Sequence, residues 1–222
     1  MIRVAQTDGM WRIIIMAIFP LPAVACDVAL MLTIDVSQSV DPAEYRLQTD
    51  GLADALQDPA IIDAMVAGQA AISVVQWSGF DRQTFTMPWA RIVTALDVAH
   101  LADAARLMPR ASTLSGTAPA EALLFSLAHF APVSDCKRRV IDISGDGTPN
   151  SGGDVASARQ RAQRDGITIN AIAIESMGLA ITNFYARQVI TRDGFVVTAR
   201  RHSDYPRAIR AKILRELSQV IG

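Results

Sequence analysis

In the run Met31-Leu32-Thr33-Ile34-Asp35-Val36-Ser37-Gln38-Ser39, an apolar stretch ends in a carboxylate followed by two hydroxyls at alternate positions. Asp35, Ser37 and Ser39 are small, hard oxygen donors on a turn leaving a strand tip. They suit Mg2+, Mn2+ or Ca2+ and offer nothing to a soft metal. A polar loop that merely caps the next helix uses the same residue types, so the triplet acquires meaning only from what converges on it. A second carboxylate, Asp146, stands in the breaker-rich turn Gly145-Asp146-Gly147-Thr148-Pro149-Asn150, directly after another apolar run. Nucleophilic chemistry has less to draw on. None of the three histidines, His100, His129 and His202, stands in a triad motif, and His100 and His129 fall within helical patterns.

The elements that position these residues alternate. The run 28–34 is almost unbroken apolar, as in a strand covered on both faces of a parallel sheet. Asp41-Pro42-Ala43-Glu44 reads as a helix start, with Asp at the cap, Pro in the first turn and Glu three residues after the cap, so Asp41 is a cap rather than a ligand. That helix runs toward Gln57. Strands are expected at 70–77 and 83–87, the second antiparallel, and a helical period spans 89–108. A small-residue loop covers 110–116, Pro119 opens a helix ending near Pro132, and 139–144 is a strand. Asp154 caps a helix that Gly166 stops, followed by a strand over 167–174, a short helix at 183–189, a strand at 195–198 and a terminal helix over 205–220.

This alternation implies an α/β fold: a doubly wound, mostly parallel sheet with helices on both faces and right-handed crossovers. Ligands in such sheets bind beyond the carboxyl ends of the strands at the topological switch point, where Asp35 and Asp146 would converge if their strands are neighbours. Asp142, mid-strand, is expected to be buried, either behind the metal or as a structural acceptor. Trp77 and Trp89 read as core or loop anchors, and Arg200, Arg201, Arg207, Arg210 and Arg215 as a solvated face at the last helix.

The 222 residues, 50% hydrophobic and 19% charged, fit one well-buried domain. A net charge of -1 and a pI near 6.3 leave no basic field for a phosphate backbone, which argues against nucleic acid as a partner. Arg3 and Arg12 precede the apolar stretch 13–25, which contains Pro20 and Pro22 and falls short of a bilayer span; Ala23-Val24-Ala25 supplies the small residues of a signal-peptidase site. Residues 1–25 are therefore expected to be a signal peptide, with Met10 an alternative start, cleaved to leave a domain over 26–222 in the periplasm or outside the cell. Cys26 directly after the Ala-x-Ala raises lipidation, but the position three residues before it is Ala23 and not the usual Leu. The two cysteines of the mature chain, an even count in an oxidising compartment, favour one disulfide.

Asp35-x-Ser37-x-Ser39 after the first strand, a Thr in the loop before a middle helix, and Asp146-Gly147 after a later strand together resemble the von Willebrand factor A domain, over nearly the whole mature chain. The resemblance implies a metal-ion-dependent adhesion site in which Ser37, Ser39 and Thr117 bind a divalent cation directly, while Asp35 and Asp146 act through water. The family's Asp-Gly-x-x-Asn turn matches Asp146-Gly147-x-x-Asn150, with Gly145 where a Thr is usual. Gly116-Thr117 precedes Ala122-Leu123 at the family's offset; Thr113, followed three residues later by Gly116, is the rival ligand. The implied function is binding without chemistry: a protein partner's Asp or Glu fills the position that three neutral hydroxyls leave open on the cation. The family's strand order also sets the first strand beside the one leading to Asp146, which brings Cys26 and Cys136 together at the end of the sheet opposite the metal. A finer resemblance, to a secreted bacterial subfamily of unknown function, rests on Cys26-Asp27-Val28-Ala29-Leu30, Gln76-Trp77-Ser78-Gly79, Val140-Ile141-Asp142-Ile143-Ser144-Gly145-Asp146-Gly147 and Gly166-Ile167-Thr168-Ile169-Asn170.

Two alternatives remain beside it. A haloacid dehalogenase-type phosphohydrolase also places an Asp at the end of strand one, yet its general acid is usually an Asp two residues on, where this chain has Ser37, and the first lysine after Asp35 is Lys137. A degenerate adhesion site, kept only as scaffold, is the other.

Overall fold

Alternation along one strand divides the interior in two. In a computed structural model describing residues 26–113 and 115–218, β1 (Val28–Asp35) is buried along its whole length. Val28, Leu30, Leu32 and Ile34 enter one apolar layer, and Ala29 and Met31 enter the other. That division follows from the period of two of an extended chain with cover on both faces. The expected signal peptide, 1–25, lies outside the described residues.

The sheet has six strands in the order β3-β2-β1-β4-β5-β6, where β2 is Ala71–Trp77, β3 Gln83–Arg91, β4 Arg138–Gly145, β5 Thr168–Ile174 and β6 Val196–Ala199. All neighbours are parallel except β2 and β3. The helices α1 (Pro42–Leu56), α2 (Pro59–Ala67), α3 (Ala95–Arg106) and α7 (Tyr205–Ser218) cover one face, and α4 (Pro119–Leu127) and α5 (Val155–Arg164) the other; α6 (Ala180–Phe184) runs into a π-helical turn, Tyr185–Val189. The chain winds outward from β1 through β2 to β3, then returns to β4 on the opposite side of β1. The switch point therefore lies between β1 and β4, where Ile34 pairs with Ser144 and both strands end at the candidate site.

Two elements depart from expectation. The segment expected to be helical from 89 instead carries β3 on to Arg91, because pairing with β2 and the hydrogen bond from Trp89 Nε1 to the His129 carbonyl, 2.9 Å, hold it extended; α3 starts only after the Thr94/Asp97 capping box. Helix α2 was not expected at all, although Asp58 caps it and Pro59 opens it by the same chemistry as Asp41 and Pro42 at α1. Asp154 caps α5, and Gly166 ends that passage with a positive φ of 64°. The five arginines near the C-terminus are not buried, with Arg210 paired to Asp58 and Arg215 lying over the Phe195 ring.

Cys26 and Cys136 form a disulfide, their Cα atoms 4.4 Å apart, at the end of the sheet where β1 and β4 begin. The bond closes a separation of 110 residues. Replacing both cysteines with serine is expected to cost about 2–5 kcal/mol, through a less restricted unfolded chain. Urea denaturation checks the loss.

Candidate metal centre

Asp35 ends β1 and is fully buried; its Oδ1 accepts the Ser37 backbone N–H at 2.7 Å, which folds the chain tightly out of the strand. The turn sets the Ser37 and Ser39 hydroxyls 3.1 Å apart. Ser39 Oγ donates to Asp146 Oδ1 at 2.6 Å, across the switch point, and Thr117 Oγ1 donates to Ser37 Oγ at 3.3 Å from a third loop. All five residues singled out from the sequence therefore meet in one cluster, graded from buried Asp35, Ser37 and Thr117 to half-buried Asp146 and exposed Ser39. Thr113 is exposed. The structure sets Thr117, and not its rival, against the serine pair. Asp41 is a helix cap, as expected: its side chain accepts the Glu44 N–H while Glu44 accepts the Asp41 N–H.

Other residues hold these loops in place. Asn150 Oδ1 accepts the Thr117 N–H at 2.8 Å, giving the Asn of the turn a positioning role. Arg110 donates to the carbonyls of Val36 and Ser37 at 2.9 and 2.8 Å, bracing the turn after β1. Sequence reasoning passed over Arg110 as part of a small-residue loop, and nothing local to it signals that contact.

The electrostatics fit a cation. Burial pushes the Asp35 carboxyl up to about 7, against the lowering hydrogen bonds from Ser37, and the like charge of Asp146 raises it further. Asp35 Oδ2 has no hydrogen-bond partner among the described residues. A buried carboxylate with a free oxygen, a second carboxylate and three hydroxyls form a donor set for a hard divalent ion. Among the described residues no three His, Cys, Asp or Glu side chains gather as a metal-holding group.

Behind the cluster, Gly145 stands where the resemblance implies Thr, and the packing explains the difference. A β-carbon at 145 would lie 2.4 Å from Tyr185 Oη, 3.0 Å from Asp35 Oδ2 and 3.3 Å from Trp77 Cζ2. The buried Tyr185 hydroxyl occupies that space, its pKa raised well above the usual value by burial and then by Asp35 and Asp146. Tyr185 and His202 are the site neighbours that the sequence did not reveal, since each arrives from an element remote in the chain.

Asp142, the uncertain carboxylate of β4, belongs elsewhere. It faces α7, where Lys212 Nζ lies 2.7 Å from its Oδ1 and 2.5 Å from Glu216 Oε1, and Glu216 accepts from Asn170 at 2.9 Å. Lys137 pairs with Asp27 at the opposite end of the sheet. Both lysines are thus engaged away from Asp35, where a phosphohydrolase would need one.

A family model described as "Protein of unknown function (DUF1194)" matches residues 25–221. No curated protein sequence matches. Among solved structures, proximal thread matrix protein 1 from the mussel byssus is 18% identical with a TM-score of 0.65, covering 87% of this chain and 48% of that one. A structure of the same protein with a zinc-occupied MIDAS motif gives 17% identity and a TM-score of 0.59, covering 89% and 46%. A von Willebrand factor type A protein from Catenulispora acidiphila gives 18% and 0.62, covering 88% and 43%. This chain thus spans about half the length of those structures. The likeness is one of fold, and the fold is that of a von Willebrand factor A domain.

Proposed function

The chain belongs to the DUF1194 family of proteins of unknown function, and we propose that it is a cation-dependent protein-binding module of the adhesion type. The observation that carries this reading is the convergence of Ser37, Ser39 and Thr117 hydroxyls between Asp35 and Asp146 at the switch point. Mg2+, or Mn2+ or Ca2+ in its place, would be held directly by the three hydroxyls, with the carboxylates balancing its charge through water. Neutral direct donors leave the ion enough positive charge to attract a partner's Asp or Glu to the open position. Ser39, the exposed member, marks the side from which that partner comes. The zinc-occupied MIDAS motif of the mussel protein supports a divalent ion here. The disulfide, together with the short apolar stretch ending in Ala23-Val24-Ala25, supports a periplasmic or secreted location after cleavage behind Ala25. No helix among the described residues is long and apolar enough to cross a membrane.

Titration calorimetry with Mg2+ and Mn2+ tests the reading. Ser39→Ala, Thr117→Ala and Asp146→Ala should each weaken cation binding roughly tenfold or more and abolish EDTA-sensitive capture of partners from periplasmic extract, with circular dichroism unchanged. Wild-type protein that binds no divalent cation would reduce the site to scaffold. Phosphate-ester turnover lost in Asp35→Asn would make the protein a phosphohydrolase instead.

A further inference from the structure

His202 lies in the 3-10 turn His202–Asp204 that leads into α7, remote along the chain from Asp35, yet it reaches the rim of the metal centre. Its Nδ1 is 2.9 Å from Glu44 Oε1. A carboxylate at that distance accepts, so Nδ1 carries a proton, which leaves Nε2 as the ring nitrogen a metal could take. Glu44 is itself fixed, since its Oε2 accepts the Asp41 N–H at 2.8 Å within the capping box of α1. Nε2 has no hydrogen-bond partner among the described residues and lies 3.8 Å from Asp146 Oδ2. The other oxygen of Asp146 is occupied by Ser39. Nε2 and Asp146 Oδ2 thus stand either side of one gap, too wide for a hydrogen bond between them.

We propose that His202 Nε2 and Asp146 Oδ2 form a second cation position beside the hydroxyl cluster, selective for a zinc-class divalent ion. Zinc binds imidazole and carboxylate at about 2.0–2.2 Å, so two donors on one tetrahedral ion sit roughly 3.4 Å apart, close to the separation seen here. A histidine that gives its other ring N–H to a carboxylate is the usual arrangement around a metal, because the carboxylate fixes the tautomer and raises the basicity of the ligating nitrogen. Imidazole also discriminates: Mg2+ and Ca2+ take oxygen donors, whereas Zn2+ takes nitrogen readily. The His202 and Asp146 side chains are only 11% and 12% exposed, so the position is shielded from bulk water. The position goes beyond the adhesion reading, sharing Asp146 with it and none of the hydroxyl donors.

Zinc titrated calorimetrically into wild-type protein under saturating Mg2+, which fills the hydroxyl cluster, should give one zinc event that Mg2+ does not displace. His202→Ala should weaken that event at least tenfold and leave the magnesium response unchanged; His202→Asn serves if the alanine variant misfolds. Glu44→Gln, which retains the capping box, should weaken zinc by roughly ten- to a hundredfold. Ser37→Ala should lose magnesium and keep zinc. Zinc binding unchanged in the His202 variants, or lost in Ser37→Ala while kept in His202→Ala, would overturn the proposal and place zinc among the hydroxyls. A wild type that binds zinc but never magnesium would remove the adhesion reading alone.

Discussion

Asparagine in place of Asp35 is expected to make the cation-free protein more stable at pH 8 while abolishing its response to Mg2+. The folded state holds the Asp35 carboxyl at about 7, chiefly through burial, whereas an unfolded aspartate titrates near 3.9. Below about pH 4 the group is protonated in both states and contributes no difference. Between pH 4 and 7 only the folded state keeps the proton, so stability falls as pH rises, and the full penalty is present above pH 7. A rise of that size corresponds to about 4 kcal/mol as an upper bound. The amide of the Asp35→Asn variant carries no charge and removes the slope. A divalent cation favours the ionised carboxylate in wild-type protein, so the rise in melting temperature on adding Mg2+ should be larger at pH 8 than at pH 5 and absent in Asp35→Asn. A cation-free wild type equally stable at pH 5 and pH 8 would show that burial does not penalise the Asp35 carboxylate as described here.

Lys212→Ala is expected to cost about 3–5 kcal/mol, since removing one member of a buried ion cluster leaves the others without compensation. Lys212 is fully buried between Asp142 and Glu216, one ammonium against two carboxylates. Asp142 is pushed up to about 7 by burial first, with Lys212 pulling it down and Glu216 pushing it up. Without Lys212 both carboxyls must hold protons or stand charged in the core, so the loss should be greater at pH 8 than at pH 6. A domain of this size should then melt on the order of 10 °C lower. The triple variant Lys212→Met, Asp142→Asn, Glu216→Gln should recover most of the difference, as no buried charge remains. Guanidinium denaturation of the two variants measures this, and a loss under about 1 kcal/mol in the single variant would contradict it.

Much of the fold was legible because its signals are local. The apolar run ending at Asp35, the Asp41/Glu44 capping box and the Asp154 cap depend on residues a few positions apart, and each appears in the structure where its chemistry places it. The extension of β3 to Arg91 was not legible, because the helical spacing beyond Trp89 competes with pairing to β2, and only that non-local pairing makes the segment extended. Helix α2 was overlooked despite a local signal, Asp58-Pro59, of the kind recognised at α1.

By itself the sequence determined which atoms the candidate site could draw on: hard oxygens in Asp35, Ser37, Ser39, Asp146 and either Thr117 or Thr113, on turns that follow apolar strands or precede a helix. Those are properties of side-chain type and short spacing, written directly in the chain. Tertiary structure decided which of the remaining polar groups share that space. Asp142 and Asp146 are four residues apart in sequence, yet strand alternation and the position of α7 give the first to Lys212 and leave the second beside the hydroxyl cluster. Thr117 is distinguished from Thr113 by contact with Ser37, Gly145 is accounted for by the Tyr185 hydroxyl, and His202 reaches Asp146 because the turn before α7 meets α1 through Glu44. Such pairings depend on where non-adjacent elements cross, and no spacing along the chain encodes them.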